Sequence, residues 1–204
     1  MESTYGIFGF RDPDDFEKLA ISYHDPNPSS LGLEFFKVLH AILHLNAHKV
    51  GALRKTAIQM CYRDDAGKDS LTKNNHELLS FLLCPSIIAQ HIYFKPGCNA
   101  IRDSMWCEWA YVFDFMDRNL EIHRGGNKDP HAPGIYAAVK TKGSKYYGPR
   151  LVAKISLGKL IEGDVEGMKK IMADITYNTV KGKDLLGHGT QKSQSYKGTE
   201  ILVF

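Results

Sequence analysis

The apolar positions of this chain change their spacing about halfway along it. Leu31, Leu33, Phe35, Phe36, Val38, Leu39, Ile42, Leu43 and Leu45 recur at the three- and four-residue spacing of a helix, with Ser30 as its capping hydroxyl. A second helical stretch is expected over Val50–Tyr62. A third begins near Asn74-Asn75 and runs through Leu83 to Pro85, where the ring and the missing N–H interrupt a helix. Further on the period falls to two: Arg150 to Leu157 alternates like a strand, and Glu200–Phe204 is a short apolar strand. Gly134-Ile135-Tyr136 also reads as strand, and the aromatic-rich stretch Trp106–Met116 as strand followed by helix. Residues 1–30, rich in Asp, Pro, Ser and Gly, read as an irregular lead-in with one short helical stretch after Asp14-Asp15. Helices first and a mostly β region second predict an α+β fold, with residues 31–204 as a single domain.

Composition narrows this reading. The 204 residues are 43% hydrophobic and 11% aromatic, enough for one packed core and cramped for two. The 26 basic and 23 acidic residues are interleaved, so their net charge of +3 implies no broad polyanion-binding surface. Lys140, Lys142, Lys145, Arg150 and Lys154 do make one stretch locally basic, which suits a phosphate-bearing ligand and equally a solvated face. Cys61, Cys84, Cys98 and Cys107 show no CxxC pairing and read as reduced thiols of an intracellular protein, cytoplasmic or nuclear. No basic-then-apolar leader opens the chain, and no run reaches the roughly 20 apolar residues of a membrane span. No membrane partner is expected.

The chemistry concentrates in the C-terminal half. Gly134-Ile135-Tyr136-Ala137-Ala138 is followed by Ser144 and Tyr147, then by the strand Leu151–Leu157 with Gly158-Lys159 after it. Tyr177-Asn178-Thr179-Val180-Lys181-Gly182, the glycine-containing Leu186-Gly187-His188-Gly189-Thr190 and the closing Glu200-Ile201-Leu202-Val203-Phe204 come next. In order and spacing, these motifs over residues 105–204 resemble the catalytic domain of poly(ADP-ribose) polymerase-like ADP-ribosyltransferases. The resemblance implies a mostly antiparallel split β-sheet behind the helices, with NAD as co-substrate. It also implies cleavage of the nicotinamide–ribose bond and transfer of ADP-ribose to a macromolecular acceptor, a protein more readily than a nucleic acid. Cleaving that bond builds positive charge on the ribose, so a carboxylate beside the ring stabilises the transition state more than the ground state. On the resemblance that carboxylate is Glu200, acting with Tyr136. Tyr147 stacks on the nicotinamide, Tyr136 lines its pocket and Ser144 bonds the carboxamide, stacking being worth on the order of 1 kcal/mol beyond burial.

One position departs from the pattern. The family's first signature is a histidine followed by glycine on an earlier strand, and Cys107-Glu108 stands there instead. A thiol is a poor substitute for the imidazole hydrogen bond. His123, beside Gly125 and Gly126, and His91 are the replacements the sequence offers, so Cys107 and His123 join the candidate cofactor contacts. Some members of the wider family lack that histidine and serve as interaction modules. The expected function is therefore mono-ADP-ribosyl transfer, the alternative being an inactive domain that binds a protein or ligand.

Two patterns lie outside this resemblance. His40, His44 and His48 recur every four residues on the best-defined helix, a spacing at which two imidazoles share a metal. With no cysteine or carboxylate at a partner spacing, the row reads as a solvated face and no metal is expected. A Cys/His hydrolase built on Cys107 or Cys84 has no supporting spacing, and a buried thiol is the commoner state.

Overall fold

The computed structural model describes residues 4–23, 25–44, 49–58, 97–180, 192–196 and 199–203, with the backbone alone for residues 49 and 180 and for the last two strands. The third expected helix, His91, Tyr62 and the loop around His188 lie outside these residues.

The lead-in is the first correction. Tyr5–Asp12 (β1) and Phe16–Ser22 (β2) form an antiparallel hairpin inside the sheet, with Gly6 opposite Ser22 and Asp12 opposite Phe16. β1 hides from the pattern because Ile7, Phe8 and Phe10 are all fully buried, on both faces, so its apolar run does not alternate. The aspartates that suggested a loop make the tight turn, where the Asp15 N–H donates to the Asp12 carbonyl at 3.1 Å.

A short π-helical turn, Pro28–Gly32, leads into α1, Leu33–Leu43, followed by α2, Lys49–Ile58. α1 buries Leu33, Phe35, Phe36, Val38, Leu39 and Leu43, as its spacing predicts. Cys107–Asp114 (β3) and Asn119–Arg124 (β4) form a second antiparallel hairpin, so the segment expected as strand then helix continues as turn and strand. The Asp114 carboxylate caps that turn, accepting the N–H groups of Met116 at 2.8 Å and Asp117 at 2.9 Å. Arg150–Ser156 (β5) pairs antiparallel with β4, close to the span its alternation predicts. α3, Leu157–Glu162, is capped by the Ser156 hydroxyl, and α4 covers Val165–Val180. Lys192–Tyr196 (β6) and Thr199–Val203 (β7) close the described chain.

Among the described residues the strands make one mixed seven-stranded sheet in the order β2-β1-β3-β4-β5-β7-β6. β1 and β3 are parallel and the other pairings antiparallel. The α+β class stands, but strands precede the helices as well as follow them. Gly134-Ile135-Tyr136 is a further correction: it is a turn, with Gly134 at φ 108° packed on Leu151.

The two sheet faces differ. One is covered by the helices, where Phe8 and Phe10 meet Phe35 at ring separations of 5.5 and 5.6 Å and Trp109, Tyr111 and Phe113 are sealed. The other carries a smaller apolar cluster of Ile7, Leu19, Ile101, Cys107, Ala110, Val112 and Tyr136. Beside it, on the same alternation, stand Arg11, Asp114, Glu121 and His123. Among the described residues no helix is long and apolar enough to cross a membrane.

Candidate functional site

Four strands each bring a charged side chain to this second face. The Arg11 guanidinium donates to both Asp114 and Glu121, through Nε to Asp114 Oδ2 at 2.9 Å and through Nη2 to Glu121 Oε2 at 3.2 Å, with a closer Nη2 contact to Asp114. Lys154 bridges Glu121 Oε1 at 3.0 Å and Asp117 Oδ2 at 3.1 Å. His123 Nε2 lies 3.1 Å from Glu121 Oε2. The Arg11, Asp114 and Glu121 side chains are 8%, 2% and 4% exposed, so each charge depends on its partners for the hydration it has lost.

Their proton affinities reflect this crowding. Burial pushes the Glu121 carboxyl up, yet His123, Arg11 and Lys154 outweigh it and hold the group down at about 2. Burial drives the His123 imidazole below its ordinary value, against the pull of Glu121. Tyr136 is raised by burial and then by Glu17, to whose Oε1 its hydroxyl donates at 2.6 Å.

The cluster borders an open cleft of about 640 Å³, lined by Asp12, Asp14, Asp15, Glu17, Asp114 and Asp117 besides Arg11, with exposed Met116 and Ile135 on its walls. Arg54 neutralises Asp12 and Asp15 from outside, with both contacts at 2.6 Å. Ligand oxygens of Asp114, Asp117 and Glu121 lie within 4.8 Å of one another, a grouping that suits a metal. Lys154 Nζ, within 3.1 Å of both Asp117 and Glu121, supplies a positive charge between two of the three, and Arg11 pairs with Asp114. This cluster therefore carries its own counter-cations. The cleft's carboxylates repel phosphate, so an anionic ligand is better served elsewhere.

Lys140, Lys142 and Lys145 lie on a different surface. Residues 139–148 form a hairpin: Lys140 bridges to Tyr147, the Gly148 N–H donates to the Val139 carbonyl at 2.6 Å, and Gly143 turns at φ 83°. The Asn127 side chain anchors it, donating to the carbonyls of Ala137 at 3.3 Å and Gly148 at 3.0 Å, while the Tyr147 N–H returns to the Asn127 carbonyl at 2.9 Å. The Ser104 hydroxyl donates to the Tyr147 carbonyl. Tyr146 and Tyr147 are both half-buried. Lys140 Nζ lies 4.9 Å from the Tyr147 ring centroid and Lys128 Nζ 5.8 Å from that of Tyr146. The Ser144 hydroxyl accepts the Tyr146 N–H at 3.0 Å and keeps its own hydrogen to donate.

The sequence-predicted site residues thus fall into separate places. Ser144 and Tyr147 share the hairpin. Tyr136 and His123 meet edge-on with ring centroids 5.1 Å apart, but in the buried cluster, Tyr136 being 4% exposed and His123 fully buried. Cys107 is sealed at the start of β3, its thiol pushed up by burial. Glu200 lies in β7, opposite Ser195. Because Leu202 pairs with Lys154 and Val203 with Ala153, the Glu200 backbone falls at the Ser156 end of β5. The hairpin leads into the Arg150 end, about 20 Å away at strand rise.

Arg11, Asp114, Glu121 and Lys154 were not foreseen as a group. The one local signal was Asn119-Leu120-Glu121-Ile122-His123, where polar and apolar residues alternate as on a strand whose two faces differ. No family model matches the chain, and no curated protein or solved structure shows a significant likeness to it.

Proposed function

We propose that this chain is a nucleotide-binding domain whose 139–148 hairpin takes a ligand with a planar ring and phosphates, NAD being the candidate. The observation that carries the proposal is the pairing of each half-buried hairpin tyrosine with a lysine ammonium, Tyr147 with Lys140 and Tyr146 with Lys128. A base or nicotinamide laid on a tyrosine gains stacking, on the order of 1–3 kcal/mol per ring. The ammonium groups, with Lys142 and Lys145 exposed on the same hairpin, meet the phosphates. Ser144 has a hydroxyl hydrogen to offer a carboxamide. The acidic cleft beside Arg11 disfavours pyrophosphate, which supports the hairpin as the place of binding.

The resemblance to ADP-ribosyltransferases makes NAD the first ligand to try, and the about 20 Å of strand between hairpin and Glu200 favours binding without transfer. The test is calorimetric titration of the full chain with NAD, ADP-ribose and AMP, beside incubation with labelled NAD. NAD binding that weakens about tenfold in Tyr147→Ala and with rising salt is expected. Self-labelling lost in Glu200→Ala would turn the reading back to a transferase. Absence of binding to all three nucleotides refutes it.

A further inference from the structure

The histidine row of α1 has a property that its spacing alone does not reveal. His40 Nδ1 lies 2.8 Å from the Leu160 carbonyl oxygen and His44 Nδ1 lies 3.0 Å from that of Ile161. A carbonyl oxygen only accepts, so in both rings the Nδ1 carries the hydrogen, and in the neutral imidazole Nε2 then holds a lone pair. Leu160 and Ile161 are in the last turn of α3, where carbonyls lack helical partners, and the two histidines satisfy them. The rings lie side by side with centroids 4.7 Å apart and an interplanar angle of 38°, and His40 is backed by Phe36 at 5.7 Å.

A backbone carbonyl bound to one ring nitrogen, leaving the other free, is the support that metal-ligating histidines receive: it sets the tautomer, restrains the ring and raises the basicity of the ligating nitrogen. Here two such rings stand one helical turn apart, the spacing at which two imidazoles share an ion. We propose that His40 and His44 form a two-imidazole site for a borderline divalent transition metal of the zinc, nickel or copper class, with water completing the coordination. Imidazole nitrogen selects these ions over magnesium and calcium, which take oxygen ligands. His44 is exposed and His40 half-buried, so the pair is reached from solvent. The inference stands apart from the nucleotide reading.

The test is titration of the untagged full chain with Zn²⁺ alone and with Cu²⁺ alone, followed by calorimetry and, for copper, by nitrogen hyperfine structure in the electron paramagnetic resonance spectrum. One equivalent bound through two imidazole nitrogens is expected, with binding weaker by about tenfold or more in His40→Asn and in His44→Asn. Asparagine can still donate an N–H toward the α3 carbonyls but has no nitrogen to offer the metal. Should His40→Asn fail to fold, the exposed His44→Asn carries the test, checked by an unchanged melting temperature without metal. Affinity unchanged in His44→Asn, or no binding by the unaltered chain, overturns the proposal.

Discussion

Replacing Arg11 by methionine tests whether the buried charges on the second sheet face depend on one another. Methionine keeps much of the side-chain volume and removes the charge and every donor. Asp114 and Glu121 then remain at 2% and 4% exposure without the guanidinium that touches both. Glu121 retains Lys154 at 3.0 Å and His123 at 3.1 Å, whereas Asp114 keeps only the N–H groups of its own turn. Asp114 is thus the stranded charge. Breaking a buried ion pair from one side costs about 3–5 kcal/mol, out of the about 5–15 kcal/mol that holds a domain folded.

Urea denaturation followed by the fluorescence of Trp106 and Trp109 measures the loss. If the penalty comes from the stranded carboxylate, Arg11→Met combined with Asp114→Asn recovers most of it, because the amide needs no counter-ion. A loss below about 1 kcal/mol in Arg11→Met, or a double variant no more stable than the single one, would falsify this account.

Acid should destabilise the chain in two stages. His123 has a folded pKa depressed below 6.5, so the unfolded state binds its proton first and stability falls as pH drops from about 6.5. Glu121, depressed from 4.5 to about 2, adds a second loss between those values. Urea midpoints measured from pH 8 to pH 3 check this, and His123→Gln should flatten the upper stage. Gly125→Ala should lower the melting temperature, since its Cβ would lie 1.9 Å from the Cys107 carbonyl oxygen on a core strand. An overpacking cost of about 1–3 kcal/mol corresponds to about 2–4 °C for each kcal/mol in a chain of this size.

The sequence by itself determined the elements whose burial is one-sided. α1 was legible because Leu33, Phe36 and Leu43 repeat at the helical period, and β5 because buried Ala153 and Ile155 alternate with the more open Lys154 and Ser156. β7 was legible as a short apolar run opening on Glu200. β1 was not, since a strand sealed on both faces carries no period and its flanking aspartates read as loop. Gly134–Tyr136 misled in the opposite sense: Tyr136 is buried by what packs on it from β2 and β4, not by a strand of its own.

The sites divide likewise. Ser144 and Tyr147 lie close enough in sequence for local order to place them on one hairpin. The bond partners of Arg11 are more than a hundred positions away, so only the pairing of β1 with β3 and of β3 with β4 decides that they meet. The histidine row was visible in the sequence as spacing. Only the docking of α3 against α1, which aims two orphan carbonyls at two Nδ1 atoms, fixed the tautomers and freed the nitrogens that face away.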